Sequence, residues 1–446
     1  MSGILAHGLG GRSDLPVPLW IAVYGGASAV VISFLALGAF WLTPRLKGSS
    51  AGRPLPEALQ RLIDARTTRS GLRMFGVLLF AITLLAAALG PDDSSRNPAP
   101  TWLYVWLWVG LVPASLAFGP VWRLLNPLRA FSAGIARLTG RGRNRSAPER
   151  LGYWPAAAGL VVFVWLELVY ADASKPSTVL AFVAVYSLVQ VALALRYGQG
   201  WYERGDSFEV YSSLVGRLSP LGRRSDGRLV VRNPLDGLAS VAVRPGLVAV
   251  VCVLLGSTAF DGVTRTQLWS NLTRGTVGFQ NLVLGSLGLG WSIAFIAATY
   301  IGATRLSAQM VRGSNRSKQS KPVAKLDERF VHSLIPIVVG YTVAHYFSLF
   351  VFQGQAGYIL ASDPFGRGWD VFGTGDWAIN FLVVSTRAIA LVQVAAIVTG
   401  HVLGVVAAHD RAVGLFSGLD KRRGQYALLA VMVLYTSVGI LLLLGT

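Results

Sequence analysis

The stretch SLIPIVVGYTVAHYFSLFVF, from Ser333 to Phe352, decides the fold class of this chain. It contains no Asp, Glu, Lys or Arg, and its length of about 20 residues lets a helix cross a hydrocarbon core of roughly 30 Å. The stretch therefore predicts a transmembrane helix. Polar groups are costly inside hydrocarbon, so His345 within this helix is a candidate functional residue.

The rest of the chain repeats the same apolar signal. The chain has 446 residues, of which 14% are charged, whereas a soluble domain carries roughly 25%. Its mean hydropathy is +0.53. The fold class predicted is therefore all-α, a polytopic integral membrane helix bundle of about ten transmembrane helices. The predicted spans are 17–42, 72–89, 102–119, 153–171, 178–195, 246–260, 281–301, 333–352, 379–408 and 425–444.

The positive charges orient these spans. Of the 40 Lys and Arg residues, 33 fall in alternate segments between the spans, and the net charge is +19. Basic segments stay in the cytoplasm, so both termini are predicted outside a bacterial plasma membrane. This alternation differs from a nucleic-acid-binding stripe, so the predicted partner is the lipid bilayer and not nucleic acid. The basic segments are 43–73, 120–152, 196–245, 302–332 and 409–424.

The longest of these segments divides the chain into an N-terminal membrane half, 1–195, and a C-terminal membrane half, 246–446. The loop 196–245 between them contains DSFEVYSSLVGRL, from Asp206 to Leu218. Asp206 and Glu209 have capping-box spacing, and apolar residues follow at helical spacing beside arginines. This pattern predicts an interfacial helix on anionic lipid. The runs RLVVR and LASVAVR on either side of NPLDG predict a β-hairpin.

Two polar residues lie at similar depth in the predicted outer half. Glu167 is roughly 21 Å along a helix from Tyr153, and His345 is roughly 20 Å from His332, at 1.5 Å per residue. A buried carboxylate must pair with a neighbour or take up a proton. Each residue is therefore either tied to one structural partner or serves as a catalytic acid or base or a proton relay.

Arg387 lies near the outer end of the ninth span. It can extend its guanidinium to water, or it can pair with Glu167. An unpaired charge facing lipid costs at least about 2.5 kcal/mol. We therefore expect Glu167, His345 and Arg387 to converge and to bind a small molecule or an ion.

A row of small residues marks the ninth span. Ala396, Gly400, Gly404 and Ala408 recur every four residues, a pattern that lets two helices approach closely. His401 lies beside this row and is expected at a packed interface.

Metal and redox motifs are sparse. The only cysteine, Cys252, lies in an apolar run and excludes an intrachain disulfide. The chain has no HExxH, CxxC or P-loop motif. If a divalent metal is bound, the candidate ligands are His7, His345 and His401.

Three stretches resemble a known family. They are AHGLGGRSDLPVP (Ala6 to Pro18), AHYFSLFVFQGQ (Ala344 to Gln355) and GHVLGVVAAHDRA (Gly400 to Ala412). They are similar to polytopic membrane proteins of actinobacteria that carry the label fenitrothion hydrolase. The resemblance implies hydrolysis of an organophosphorus triester, a reaction that soluble phosphotriesterases perform with paired metals.

Two functions from different classes therefore stay open. One is a membrane hydrolase acting on phosphotriesters, with Glu167 and His345 as acid and base. The other is a transporter or accessory membrane subunit that moves protons or a small solute. Five spans followed by five would also fit the inverted repeats of many transporters.

Overall fold

The structure is a computed structural model that describes residues 18–140, 146–314, 325–416, 418 and 420–444. Within these residues ten helices are long and apolar enough to cross a membrane. The chain is therefore an all-α, multi-pass membrane protein, and the predicted fold class is confirmed. The ten spans are Leu19–Phe40, Arg66–Leu89, Ala99–Phe118, Glu149–Leu168, Pro176–Tyr197, Leu247–Thr264, Phe279–Val311, Leu326–Ser362, Thr386–Leu415 and Asp420–Leu443.

The described residues contain twenty α-helical segments and three short strands, together with short 3₁₀ turns and one π-helical stretch. The helices are α1 (Leu19–Phe40), α2 (Glu57–Asp64), α3 (Arg66–Leu89), α4 (Ala99–Thr101), α5 (Leu111–Phe118), α6 (Trp122–Leu125), α7 (Pro127–Thr139), α8 (Trp154–Leu168), α9 (Pro176–Tyr197), α10 (Tyr202–Gly205), α11 (Ser207–Val215), α12 (Pro234–Ala239), α13 (Leu247–Thr264), α14 (Gln267–Leu272), α15 (Phe279–Ser314), α16 (Leu326–Phe330), α17 (Ile335–Ile359), α18 (Thr386–Leu415), α19 (Asp420–Arg423) and α20 (Tyr426–Leu444). The strands are β1 (Arg53–Pro54), β2 (Leu221–Arg223) and β3 (Leu229–Val231).

Two helices show how local sequence sets the helix starts. Asn126 precedes α7 and accepts a hydrogen bond from the backbone N–H of Leu128, and Pro127 occupies the first helical position. Ser385 precedes α18 and accepts from the N–H of Ala388. Polar caps satisfy backbone donors that a helix leaves unpaired, and proline fits the first turn because its missing N–H would have no partner there.

The β-hairpin forms at a different place from the predicted one. β3 pairs with β2 and β1 in an antiparallel sheet of order β1-β3-β2, with Val231 opposite both Arg53 and Leu221. NPLDG does not form the turn, because Asn233 caps α12 by accepting from the N–H of Leu235. The prediction missed that Asn-Pro is also a helix-start signal.

The described residues form two compact units. The first unit comprises 18–51, 232–347 and 385–444, and the second comprises 52–231 and 348–384. This division differs from the predicted halves, since α1 belongs with the C-terminal spans and the segment 348–384 belongs with the N-terminal ones.

In the first unit, α1 packs against α18 and α20, and α13 packs against α15. The chain just after α1 is fixed to α18 by Asp410, whose Oδ1 accepts from Trp41 Nε1 at 3.0 Å and from the backbone N of Arg45 at 2.6 Å. The Nε2 of His409 donates to the carbonyl of Trp41 at 2.9 Å. His409 and Asp410 therefore act as structural ties.

In the second unit, an aromatic core surrounds a π-helical stretch, Trp102–Val109. The ring of Trp108 lies 4.8 Å from Phe163 and 4.6 Å from Tyr211, between ring centroids. Phe208, also from α11, packs edge-to-face on Phe163 at 5.2 Å. These contacts bury α11 inside its unit.

The helix predicted over Asp206 to Leu218 therefore forms, but it is not interfacial. Phe208 is 3% exposed and Tyr211 is 1% exposed, and the polar Glu209 is also buried. An interfacial helix would leave one face open to lipid and the other to water. The apolar stripe of α11 packs on protein, and its polar face meets buried partners.

Candidate functional site

A buried acid–base cluster joins α13 and α17 in the first unit. The Nε2 of His345 lies 2.5 Å from Oδ2 of Asp261 and 3.0 Å from Nη2 of Arg265. The same Nη2 lies 3.4 Å from Oδ1 of Asp261. One imidazole nitrogen therefore faces both a carboxylate and a guanidinium.

Local sequence places the acid and the base on one helix face. Asp261 lies in the last turn of α13, and Arg265 follows the end of that helix. Residues four apart on a helix are neighbours, so the two side chains point the same way. His345 comes from the middle of α17 and approaches this face from the opposite helix.

Burial decreases from the histidine outward. The side chain of His345 is 1% exposed, that of Asp261 is 14% exposed and that of Arg265 is 23% exposed. The ring of Tyr346 packs edge-on against the His345 ring at 4.8 Å. The second ring nitrogen of His345, Nδ1, is buried and has no hydrogen-bond partner among the described residues. The Asp261 and Arg265 side of the cluster is therefore its less buried side.

These contacts require a shared proton. If Nε2 of His345 carries a proton, it donates to Asp261, and the N–H of Arg265 then faces another N–H. If Nε2 is unprotonated, it accepts from Arg265, and the 2.5 Å contact then needs a proton on Asp261. The His345–Asp261 pair can therefore hold one proton on either group, and Arg265 biases the choice.

Comparison with known proteins does not identify a family for this chain. No family model, no curated protein and no solved structure matches the chain. The function must therefore follow from the residues of the site.

The three residues expected to converge occupy different surroundings. His345 belongs to the cluster with Asp261 and Arg265. Arg387 is exposed in the first turn of α18 and forms no salt bridge among the described residues. Glu167 lies on α8 in the second unit, half-buried and within electrostatic range of Tyr104. The shared site of Glu167, His345 and Arg387 stays a prediction.

The small-residue row of α18 has the expected role. A Cβ on Gly400 would lie 2.6 Å from the carbonyl oxygen of Pro336, and one on Gly404 would lie 2.7 Å from that of Ser333. The helices approach closely because glycine leaves this space, which confirms the predicted packing. His401 is fully buried beside the row and donates from Nδ1 to the carbonyl of Ile397 at 2.9 Å.

The metal candidates do not assemble in the described part of the chain. There, no three His, Cys, Asp or Glu side chains are grouped so that they could hold a metal ion. His345 faces one carboxylate and a cationic guanidinium, which disfavours a metal cation. His7 lies outside the described residues.

A second buried polar cluster lies in the second unit. Asp206 caps α11 by accepting from the N–H groups of Phe208 and Glu209, and Asn126 donates to its Oδ2 at 2.8 Å. Glu209 does not complete a capping box, because Arg129 Nε donates to it at 2.7 Å. Burial, helped by the charge of Glu209, raises the pKa of Asp206 to about 6. Asp206, Glu209 and Asn126 each have hydrogen-bond partners within this unit, so the role of the cluster is structural.

Sequence reasoning missed Asp261 and Arg265. The sixth span was predicted to end at residue 260, whereas α13 continues to Thr264. Asp261 therefore lies inside the span, where a carboxylate is a functional candidate by default. The signal was present in the sequence, as an acid and a base at i and i+4 next to an uncertain boundary.

Proposed function

We propose that this multi-pass membrane protein transports protons across the membrane and that its proton-binding site is the pair formed by His345 and Asp261. The observation that carries the proposal is the double contact of His345 Nε2, 2.5 Å from a carboxylate oxygen and 3.0 Å from a guanidinium nitrogen. Ionisable groups inside membrane spans commonly serve as proton relays.

The exposed fractions of the side chains indicate the order in which a proton reaches the two residues of the pair. Asp261 and Arg265 are partly exposed, and His345 is nearly fully buried. A proton can therefore reach Asp261 first and pass to Nε2 of His345.

Arg265 supports this exchange electrostatically. It keeps a positive charge beside the pair at every physiological pH. Its Nη2 lies 3.0 Å from Nε2 of His345 and 3.4 Å from Oδ1 of Asp261, so one cation faces both members of the pair.

The test is proton flux across proteoliposomes. A potassium diffusion potential drives protons inward, and an enclosed pH dye reports them. Asp261→Asn and His345→Gln should reduce the flux to that of empty liposomes, and Arg305→Gln should leave it unchanged because Arg305 is exposed and outside the cluster. Flux in Asp261→Asn equal to that of the unmodified protein would sink the proposal.

A second candidate function uses the same residues. The stretches that resemble fenitrothion hydrolases include His345, and a histidine paired with a carboxylate is a general base that can activate water. Arg265 would then stabilise the charge that develops on a phosphoryl oxygen.

Hydrolysis of a phosphotriester by the purified protein tests this second function. The rate should fall at least about a hundredfold in His345→Gln, the size expected for losing a general base. A rate identical in His345→Gln and in the unmodified protein would exclude the cluster as a hydrolytic site.

A further inference from the structure

A basic cavity lies between α3 and α7 in the second unit. Its volume is about 440 Å³. Five arginines and one aspartate are among the residues that line it, which makes the lining strongly positive. The charged lining residues are Asp64, Arg66, Arg69, Arg73, Arg129 and Arg137.

Two of these arginines are already neutralised, and three are not. Arg69 pairs with Asp64, and Arg129 pairs with Glu209. Asp64 also accepts a hydrogen bond from Arg223, which lowers the pKa of Asp64. Because Asp64 already pairs with two arginines, it does not neutralise the other arginines of the cavity.

The remaining three are Arg66, Arg73 and Arg137. They are exposed and form no salt bridge in the described parts of the chain. The helix dipole makes this arrangement less favourable still, since Arg66 lies in the first turn of α3, where the helix end is itself positive. An anion in the cavity would relieve both effects.

The surroundings of the cavity are suited to lipid. Met74 lines the cavity and is 65% exposed, and Phe75 beside it is 52% exposed. On α7, Phe131, Ile135 and Leu138 project outward at helical spacing and are also exposed. An amphipathic helix with such a face lies in the membrane interface. The cavity therefore sits where a lipid headgroup meets its acyl chains.

We propose that this cavity binds the phosphate-bearing headgroup of an anionic phospholipid. Guanidinium groups match phosphate geometry through paired N–H donors. Arg66, Arg73 and Arg137 hold the phosphate, and the acyl chains run along Met74 and Phe75. Basic pockets between membrane helices on the cytoplasmic side recognise anionic headgroups in this way, and Arg66, Arg73 and Arg137 all lie in segments predicted to be cytoplasmic.

Native mass spectrometry of the full chain, released from vesicles of phosphatidylglycerol and phosphatidylcholine, tests the proposal. The unmodified protein should retain phosphatidylglycerol in preference to phosphatidylcholine. The triple variant Arg66→Gln, Arg73→Gln, Arg137→Gln should bind phosphatidylglycerol about 100-fold more weakly, at roughly fivefold per arginine. The corresponding lysine triple variant keeps the charge but loses the paired N–H donors, so it should bind phosphatidylglycerol more tightly than the glutamine triple variant and more weakly than the unmodified protein, which separates lost charge from lost fold.

A matched control removes the same charge elsewhere. Arg53→Gln, Arg150→Gln, Arg305→Gln alters three exposed arginines outside the cavity and should leave phosphatidylglycerol binding unchanged. Equal loss in both glutamine triples would overturn the proposal, and so would binding by the cavity triple as tight as that of the unmodified protein. A third arm adds inorganic phosphate. Binding of phosphate as tight as that of phosphatidylglycerol would mean a free-anion site and would overturn the lipid assignment.

Discussion

Removing the negative charge of Asp261 should destabilise the protein, and removing the charge of Arg265 as well should restore part of the loss. Asp261→Asn keeps the shape of the side chain and leaves the guanidinium of Arg265 beside a neutral amide. Arg265→Gln alone leaves the carboxylate of Asp261 without its adjacent cation. The double variant removes both charges, so it measures the coupling between them.

The distances set the size of this coupling. At the 3.4 Å separation of Asp261 Oδ1 and Arg265 Nη2, Coulomb's law gives about 5 kcal/mol for an effective dielectric constant of about 20. The two side chains are 14% and 23% exposed, so screening is partial, and the cost of desolvating both charges offsets part of the attraction. We expect a net coupling of about 2–3 kcal/mol.

The measurement is the free energy of unfolding in mixed micelles, titrated with sodium dodecyl sulfate and followed by circular dichroism. An exposed pair provides the control. Lys175 Nζ lies 3.1 Å from Asp172 Oδ1, with side chains 51% and 48% exposed. Exposed pairs contribute about 0–1 kcal/mol. A coupling of Asp261 and Arg265 no larger than that of the control would refute the electrostatic account of the cluster.

Three other predictions follow from the fold. Gly400→Ala should lower stability, because the added Cβ would lie 2.6 Å from the carbonyl oxygen of Pro336. Gly302→Ala should raise stability by up to about 1 kcal/mol, because no atom lies within 4 Å of its added Cβ. Thermal unfolding of both variants checks this prediction. Burial raises the pKa of Asp206 to about 6, above its ordinary value of 3.8, so the folded protein holds this proton more tightly than the unfolded chain. Stability should therefore fall by up to about 3 kcal/mol as pH rises from about 4 to 6 and then level off, and unfolding of Asp206→Asn across this window should lack that component. A reporter fused after Thr446 should be active only outside the cytoplasm, and cytoplasmic activity would contradict the predicted orientation.

The membrane spans could be predicted because their signal is local. A run of about 20 apolar residues is enough to identify a span, without knowledge of its neighbours. All ten predicted spans have a counterpart in the structure. Only the ends differ, as at α15, which continues to Ser314 although the sequence suggested an end at residue 301.

The placement of amphipathic helices could not be predicted as well. α11 and α7 both carry apolar stripes beside arginines. α11 buries Phe208 and Tyr211 against Trp108 and Phe163, whereas α7 leaves Leu138 89% exposed. An apolar stripe looks the same in sequence whether it meets protein or lipid, so only tertiary packing distinguishes them.

Sequence alone predicted only part of the candidate site, again because it does not show which helices pack together. His345 stood out because a histidine in an apolar run is unusual. Its partners Asp261 and Arg265 are some 80 residues away in the chain, and sequence alone does not show that α13 and α17 touch. Depth counting gave the level of His345 in the membrane but not its lateral neighbours.

The most direct test of the proton-binding site is the protonation state of His345 itself. The chain has five histidines, so ¹⁵N-imidazole NMR of the protein in lipid gives few signals, and His345→Gln identifies the one from His345. We predict that the ¹⁵N shift of His345 Nε2 reports a proton shared with Asp261 and that this shift changes in Asp261→Asn. A His345 Nε2 signal that Asp261→Asn leaves unchanged would contradict proton sharing between the two residues.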